Sequence, residues 1–362
     1  MQFTVIREKM MLKYFRYTVF VVFLSSCLQP VLSQEAESNW WQGHWRFPEK
    51  NPQLKQMSLI SVAGNKFVNA EGDTILFRGL AISDPDKIEI QGHWNKAYFE
   101  KVKEMGATLV RIPVHPVAWR NRTPEKYFEL LDQAVEWCTD LGMYVIIDWH
   151  SIGNLGMELF QNEMYNTTQK ETFEFWRTIA FHFRGHNTVA FYEIFNEPTL
   201  YNGQLGSMPW SEWKGLNEKI IRLIRSIDTE PIPLVAGFDW AYNLNDLHFD
   251  PINAERIGYV THPYPMKRKP PWEDKWEEDF GFAADTWPII ATEIGFGLRP
   301  GDTINEEHYG PRIVKYLEGR GISWMAWVFD PEWGPSLFES WDTYKLTGSG
   351  EFFKKAMHGE IH

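Results

Sequence analysis

The sequence predicts an α/β chain closed into a (β/α)8 TIM barrel, on three observations. From residue 75 onward, eight short β-rich runs alternate with helix-like segments; such alternation makes parallel βαβ units, and eight is the number that closes a barrel. No glycine-rich phosphate loop follows the first run, so the main sign of a doubly wound open sheet is missing. Polar and ionisable side chains interrupt the apolar runs at their C-terminal ends, the rim where such barrels gather functional groups.

The chain begins with an export signature. Arg7, Lys9, Lys13 and Arg16 precede the apolar run YTVFVVFLSSCL, residues 17–28, which is too short to span a bilayer comfortably. Two readings of this segment stand. In one, residues 1–33 are a signal peptide cut before Gln34 and the protein is secreted or periplasmic; in the other, Leu24-Ser25-Ser26-Cys27 is a lipobox and Cys27 carries a lipid anchor at the outer surface. Either way Cys138 is the one cysteine left, so no intramolecular disulfide is expected. It lies on the apolar face of a predicted helix, as a small core residue would.

Residues 34–57 form an extension carrying NWWQGHW, with Trp40, Trp41 and Trp45. Three exposed tryptophans are unusual without a partner. The extension is therefore expected to cover the barrel, block one end of a cleft or dock on another chain to make an oligomer. Residues 58–362 are assigned to the (β/α)8 domain. They open with alternation around Gly64-Asn65 and Glu71-Gly72-Asp73, read as a short β-hairpin plugging one end of the barrel.

The eight runs follow in order: ILFRGL (75–80), TLVRIPV (108–114), YVIIDWH (144–150), VAFYEIFN (189–196), IPLVAGF (232–238), IGYVTH (257–262), PIIATEIGF (288–296) and ISWMAWVF (322–329). Helices are predicted near 95–105, 124–141, 168–184, 211–227, 272–286, 306–319 and after 350. The second shows why: Pro124 starts it, Gly142 ends it, and apolar residues recur at 127, 128, 131, 134, 135 and 138.

Composition bounds the function. A formal charge of −12, with no basic stripe, argues against nucleic-acid binding and suits an extracellular protein acting on neutral polymers. Aromatic residues make up 16% of the chain, with 18 Trp, which serves either a large core or a surface that stacks on sugar rings.

Reading the strand ends in order gives Arg111, His150, Asn196 with Glu197, Asp239 with Trp240, His262 with Tyr264, Glu293 and Trp327. Two carboxylates on different strands of one rim suggest glycoside hydrolysis, in which one acid protonates the leaving oxygen and the other attacks or activates water. At a separation of about 5–5.5 Å the second attacks directly and the anomeric configuration is retained. Rim ion pairing in a non-catalytic carbohydrate-binding protein is the bland alternative. His150 and His262 lack the spacing of a metal-ligand motif, and no cofactor motif is present, so neither metal nor cofactor is expected.

IFNEP on the fourth strand and ATEIGF on the seventh resemble the two signatures of glycoside hydrolase family 5. RIPV, DWH, THPY and WMAW fall in order around them, and the likeness spans roughly Leu59 to His358. The resemblance implies that Glu197 is the acid/base and Glu293 the nucleophile, held ionised by Arg111 and Tyr264. It implies that Asn196 binds the sugar 2-hydroxyl, that His262 and His150 orient the acid and hold ring hydroxyls, and that Trp327 is the floor under the reacting sugar. Pro198, after Glu197, is expected to end the strand. Glu193, four residues earlier, is expected to be structural, facing Arg78 or Arg111.

Departures from the family pattern bear on specificity. After RG on the first strand many members carry Asn; here Ser83, Asp84 and Asp86 stand instead. His115 and Trp119 in HPVAW, Trp240, and Trp333 in the loop FDPEWGPSLFESW (with Trp341) are candidates for flanking subsites. The implied activity is that of a retaining endo-β-1,4-glucanase on cellulose-type or mixed-linkage β-glucan polysaccharides and oligosaccharides. A β-mannanase, a xyloglucanase and an inactive glycan-binding lipoprotein are the alternatives.

Overall fold

A computed structural model describes residues 55–199, 203–297 and 308–361. The export signal, Cys27 and Trp40, Trp41 and Trp45 lie outside the described residues.

Strands β1 (Ser61–Ala63), β2 (Lys66–Val68) and β3 (Thr74–Ile75) make a small antiparallel sheet. The β1–β2 turn places Gly64 at φ 59°, a left-handed conformation that glycine adopts without steric cost. From β2, Phe67 meets Phe77 and Phe191 edge-on, with ring centroids 6.2 and 5.0 Å away. Ile60 and Phe67 share one apolar cluster with Leu109, Ile146, Ile232, Leu234 and Ile290, so the sheet plugs the N-terminal end of the barrel, as its sequence predicts.

Strands β4 (Arg78–Ile82), β5 (Leu109–Val114), β6 (Tyr144–Trp149), β9 (Val189–Glu193), β11 (Ile232–Ala236), β12 (Gly258–Val260), β13 (Ile289–Ile294) and β14 (Ser323–Phe329) are parallel and close in that order, β14 pairing with β4. Every residue of β5, β6 and β9 is buried, because helices cover the outside and side chains fill the inside. Helix Pro124–Leu141 has the predicted bounds and ends on Gly142, whose left-handed φ of 67° lets its N–H reach the carbonyls of Cys138 and Thr139. Cys138 is buried in that helix, and burial pushes its thiol pKa upward.

Helices Pro85–Ile90 and Pro116–Arg122 stand where no helix is predicted, and two predicted elements differ in extent. The helix predicted over 272–286 ends at Asp279 and resumes as a 3-10 turn at Gly281–Asp285. Gly281 lies so close to the Tyr316 hydroxyl that a Cβ there would overlap it. The fourth barrel strand stops at Glu193, not at Asn196. The chain then steps sideways: Glu197–Pro198 is a separate strand, β10, paired with β7 (Ile152–Asn154), which also pairs with β8 (Leu159–Phe160). The Glu197 and Thr199 N–H groups donate to Ser151 and Gly153 carbonyls. Pro198 falls between them, where its missing N–H leaves no gap. It sits within this short ladder and does not end the barrel strand.

Candidate active site

Arg111 organises the rim from the middle of β5. Its Nε and Nη2 donate to both oxygens of Glu193 at 2.7 and 2.9 Å, Nη2 also to Asn196 Oδ1 at 2.7 Å, and Nη1 to Glu293 Oε1 at 2.8 Å. Asp148 Oδ2 lies 2.9 Å from Nη2. Burial alone would disfavour the guanidinium, but Asp148, Glu193 and Glu293 outweigh it and hold it charged. Glu193 is fully buried, and Arg111 drives its pKa below the usual carboxylate range against the pull of burial. Of the two arginines offered for Glu193, Arg111 is the partner; Arg78 pairs with Glu318.

Glu293 accepts from Arg111 through Oε1 and from the Tyr264 hydroxyl through Oε2 at 2.8 Å. Burial lifts its pKa, and His262, Arg111 and Tyr264 pull the other way. The two donors, Arg111 and Tyr264, and the charge of the nearby His262 favour the ionised form that a nucleophile needs. His262 faces Glu197 Oε1 through Nδ1 at 2.8 Å. Burial opposes charge on that imidazole, yet Glu293, Glu193 and Glu197 raise its pKa to about 9. Glu197, His262 and Glu293 each offer an atom within 4.8 Å of the other two. The two carboxylates thus stand close together on one rim, the arrangement that a paired-carboxylate glycosidase needs.

His150 Nδ1 lies 2.6 Å from Asp148 Oδ2, and its ring stacks on Trp327 at 5.4 Å and 6°. Burial, helped by the neighbouring His115, Arg111 and His262, pushes the His150 pKa well below its usual value. Asp148 has a pKa raised well above the usual range by burial, and its Oδ1 has no hydrogen-bond partner among the described residues.

These groups open on a cleft of about 670 Å³ lined by Asn196, Glu197, Tyr264, Glu293, Trp327 and Trp333. His115 and His150 also line it. Trp240 is not among the lining residues; its Nε1 donates to Gln161, which is. The turn that carries Trp240 holds Asp239, Trp240 and Ala241 at φ 59°, 54° and 55°, three non-glycine residues in the left-handed region. Trp119 is a correction. It is buried between Tyr127, Phe128 and Phe175, because helix Pro116–Arg122 turns it inward to the layer outside the barrel. Trp341 likewise packs on His93 and lies outside the cleft lining.

A sequence profile for cellulase (glycosyl hydrolase family 5) matches residues 68–332. The chain belongs to glycosyl hydrolase family 5. Its fold matches the crystal structure of a β-glucanase from Saccharophagus degradans in complex with cellotetraose, at 44% identity and a TM-score of 0.83, covering 90% of this chain and 100% of that one. An endoglucanase of Thermobifida fusca is 24% identical over 337 residues, covering 86% of this chain and 66% of its own length. Endoglucanase A of Butyrivibrio fibrisolvens is 26% identical over 221 residues, covering 58% and 46%. The chain therefore spans about half to two thirds of the length of these two relatives.

Reading strand ends did not single out several groups that the structure brings to the site. Asp148 stands two residues before His150, and that i, i+2 spacing on a strand was the available signal. Gln161, Met164 and Tyr165 line the cleft from a loop with no periodicity to mark them. The unusual Ser83-Asp84-Pro85-Asp86-Lys87 segment has a defined task. Asp84 accepts from the His115 backbone N–H and the Tyr127 hydroxyl, and its Oδ2 is 2.9 Å from His115 Nδ1. Ser83 and Lys87 donate to Asp330, which accepts the Glu332 and Trp333 N–H groups. Lys87 also lies over the Trp333 ring at 5.3 Å. The segment thus fixes His115 and Trp333 at the cleft wall.

Proposed function

We propose that the protein is a retaining endo-β-1,4-glucanase acting on cellulose-type or mixed-linkage β-glucans by double displacement. The observation that carries the reading is the Glu197–Glu293 pair, close together on one rim and differently supported. Glu293, held by Arg111 and Tyr264, attacks the anomeric carbon as a carboxylate while Glu197 protonates the leaving oxygen. Glu197 then takes a proton from the water that releases the glycosyl-enzyme. Asn196, fixed by Arg111, is placed to bind the sugar 2-hydroxyl, and Trp327 to lie under the ring. Trp327 and Trp333 are nearly parallel, 19° apart with centroids 6.3 Å apart, as successive platforms for neighbouring sugars would be. The cellotetraose bound by the Saccharophagus β-glucanase favours glucan over mannan or xyloglucan.

We also propose export, on the basic and apolar N-terminal run, with the lipid-anchored form as the variant reading. Reducing-sugar release from carboxymethylcellulose, lichenan, xyloglucan and mannan tests the enzymatic proposal. Release from the first two at the highest kcat/KM is expected. Preference for mannan or xyloglucan would move the specificity, and no release from any would overturn the reading.

A further inference from the structure

The proton bookkeeping around His262 constrains which of its nitrogens faces the reaction. Glu193 accepts two bonds from Arg111, so it is an ionised carboxylate and can only accept. The Thr292 hydroxyl lies 3.1 Å from Glu193 Oε1 and must spend its single hydrogen there. Toward His262 Nε2, 2.9 Å away, Thr292 can then only accept. His262 Nε2 must therefore carry a hydrogen. The remaining nitrogen, Nδ1, faces Glu197 Oε1.

We propose that Thr292, itself anchored by Glu193, is a positioning residue that locks a proton on His262 Nε2 and so reserves Nδ1 for proton exchange with Glu197. Neither Thr292 nor Glu193 touches the cleft; both are fully buried behind it. With both nitrogens protonated, His262 donates Nδ1–H to Glu197 Oε1, leaving Oε2 as the oxygen that carries the transferable proton to the leaving group. When Nδ1 is bare, Glu197 donates to it through Oε1 instead. The proton stays within one hydrogen-bonded pair in both cases and no other atom of His262 can accept it. The charged and titratable groups around the imidazole are Glu193, Glu197, Glu293, Arg111, Asp148 and His150, from strands β9, β10, β13, β5 and β6 and the end of β6.

The inference rests on the Glu197 role proposed above, and its tests separate the two. The first is ¹⁵N NMR of the full chain with labelled histidine, His262 being assigned by difference from His262→Asn. On raising the pH, Nδ1 is expected to lose its proton while Nε2 keeps it; loss from Nε2 with Nδ1 retained would overturn the proposal. This result stands whether or not any glycan is cleaved.

The second test compares Thr292→Val with Thr292→Ser. Removing the acceptor should lower kcat/KM for cellotetraose roughly tenfold to a hundredfold, the loss of one buried bond to a charged group. The effect on a dinitrophenyl cellobioside, whose leaving group needs no proton, should stay within about threefold. Serine should restore the cellotetraose value. Equal losses on both substrates, or none, would contradict positioning of the acid. Should Thr292→Val not fold, Thr292→Ser and the wild-type ¹⁵N titration decide the matter. Absence of turnover in the wild type on every substrate would refute the Glu197 role and leave the tautomer assignment to the NMR.

Discussion

Replacing Glu193 by glutamine removes one negative charge and almost no volume from the centre of the barrel. In the native chain that carboxylate takes two bonds from Arg111 and one from Thr292, with no exposure to water. Breaking one partner of a buried ion pair costs about 3–5 kcal/mol, because the other charge is left uncompensated. Glu293 and Asp148 still face Arg111, so the lower end, about 3 kcal/mol, is appropriate. With about 2.1 cal/mol/K of unfolding entropy per residue over roughly 300 barrel residues, each kcal/mol shifts the melting temperature by about 1.6 °C. Glu193→Gln should therefore melt about 5 °C below the wild type in a calorimetric or circular-dichroism scan. Glu197→Gln, at the cleft edge with one bond to His262, should melt within about 2 °C of it. A Glu193→Gln protein that melts with the wild type yet has no activity would refute the reasoning. It would make Glu193 a participant in the reaction and not the support of Arg111.

Three further outcomes are expected. Glu197→Gln should lose hydrolysis of β-glucan but keep attack on a dinitrophenyl cellobioside, with azide restoring turnover; wild-type activity on the polysaccharide would remove Glu197 from the acid/base role. Trp333→Ala should raise KM for cellotetraose about 2–12-fold with kcat little changed, since stacking contributes about 0.5–1.5 kcal/mol beyond burial; an unchanged KM would show that the ring serves the loop alone. The His262 pKa of about 9 lies above its unfolded value of about 6.5, so its contribution, about 3 kcal/mol, is full below pH 6.5 and is lost as pH rises through 9. Thermal melts at pH 6 and pH 10 should show that fall, and His262→Asn should flatten it; an equal fall in the variant would assign the pH dependence elsewhere.

The barrel was legible because its signals are local. Eight β-rich runs alternate with seven helix-like segments, and helix Pro124–Leu141 carries its stop signal in Gly142. The rim positions were legible for the same reason: a charged residue at the end of an apolar strand is costly unless it is used. What escaped was set by tertiary contact. Trp119 and Trp333 look alike in sequence, both aromatic and both after a strand. A helix turn buries one against Phe175, while Asp330 and Lys87 hold the other at the cleft. The break at Gly281 comes from a tyrosine 35 positions further on, Tyr316, and no window around 281 contains it. Thr292 was equally invisible, since a threonine within a buried strand is ordinary β-sheet composition. Its importance arises only because Glu193 and His262 meet on either side of it.

The central claim is that Glu293 attacks the sugar and Glu197 serves it as acid and base. Trapping with a 2-deoxy-2-fluoro-β-cellobioside bearing a dinitrophenyl leaving group, followed by proteolysis and mass spectrometry, examines that claim directly. One adduct per chain, on the peptide that contains Glu293, is predicted. A label on Glu197 would reverse the roles, and an active enzyme that takes no label while releasing product of inverted anomeric configuration would contradict double displacement altogether.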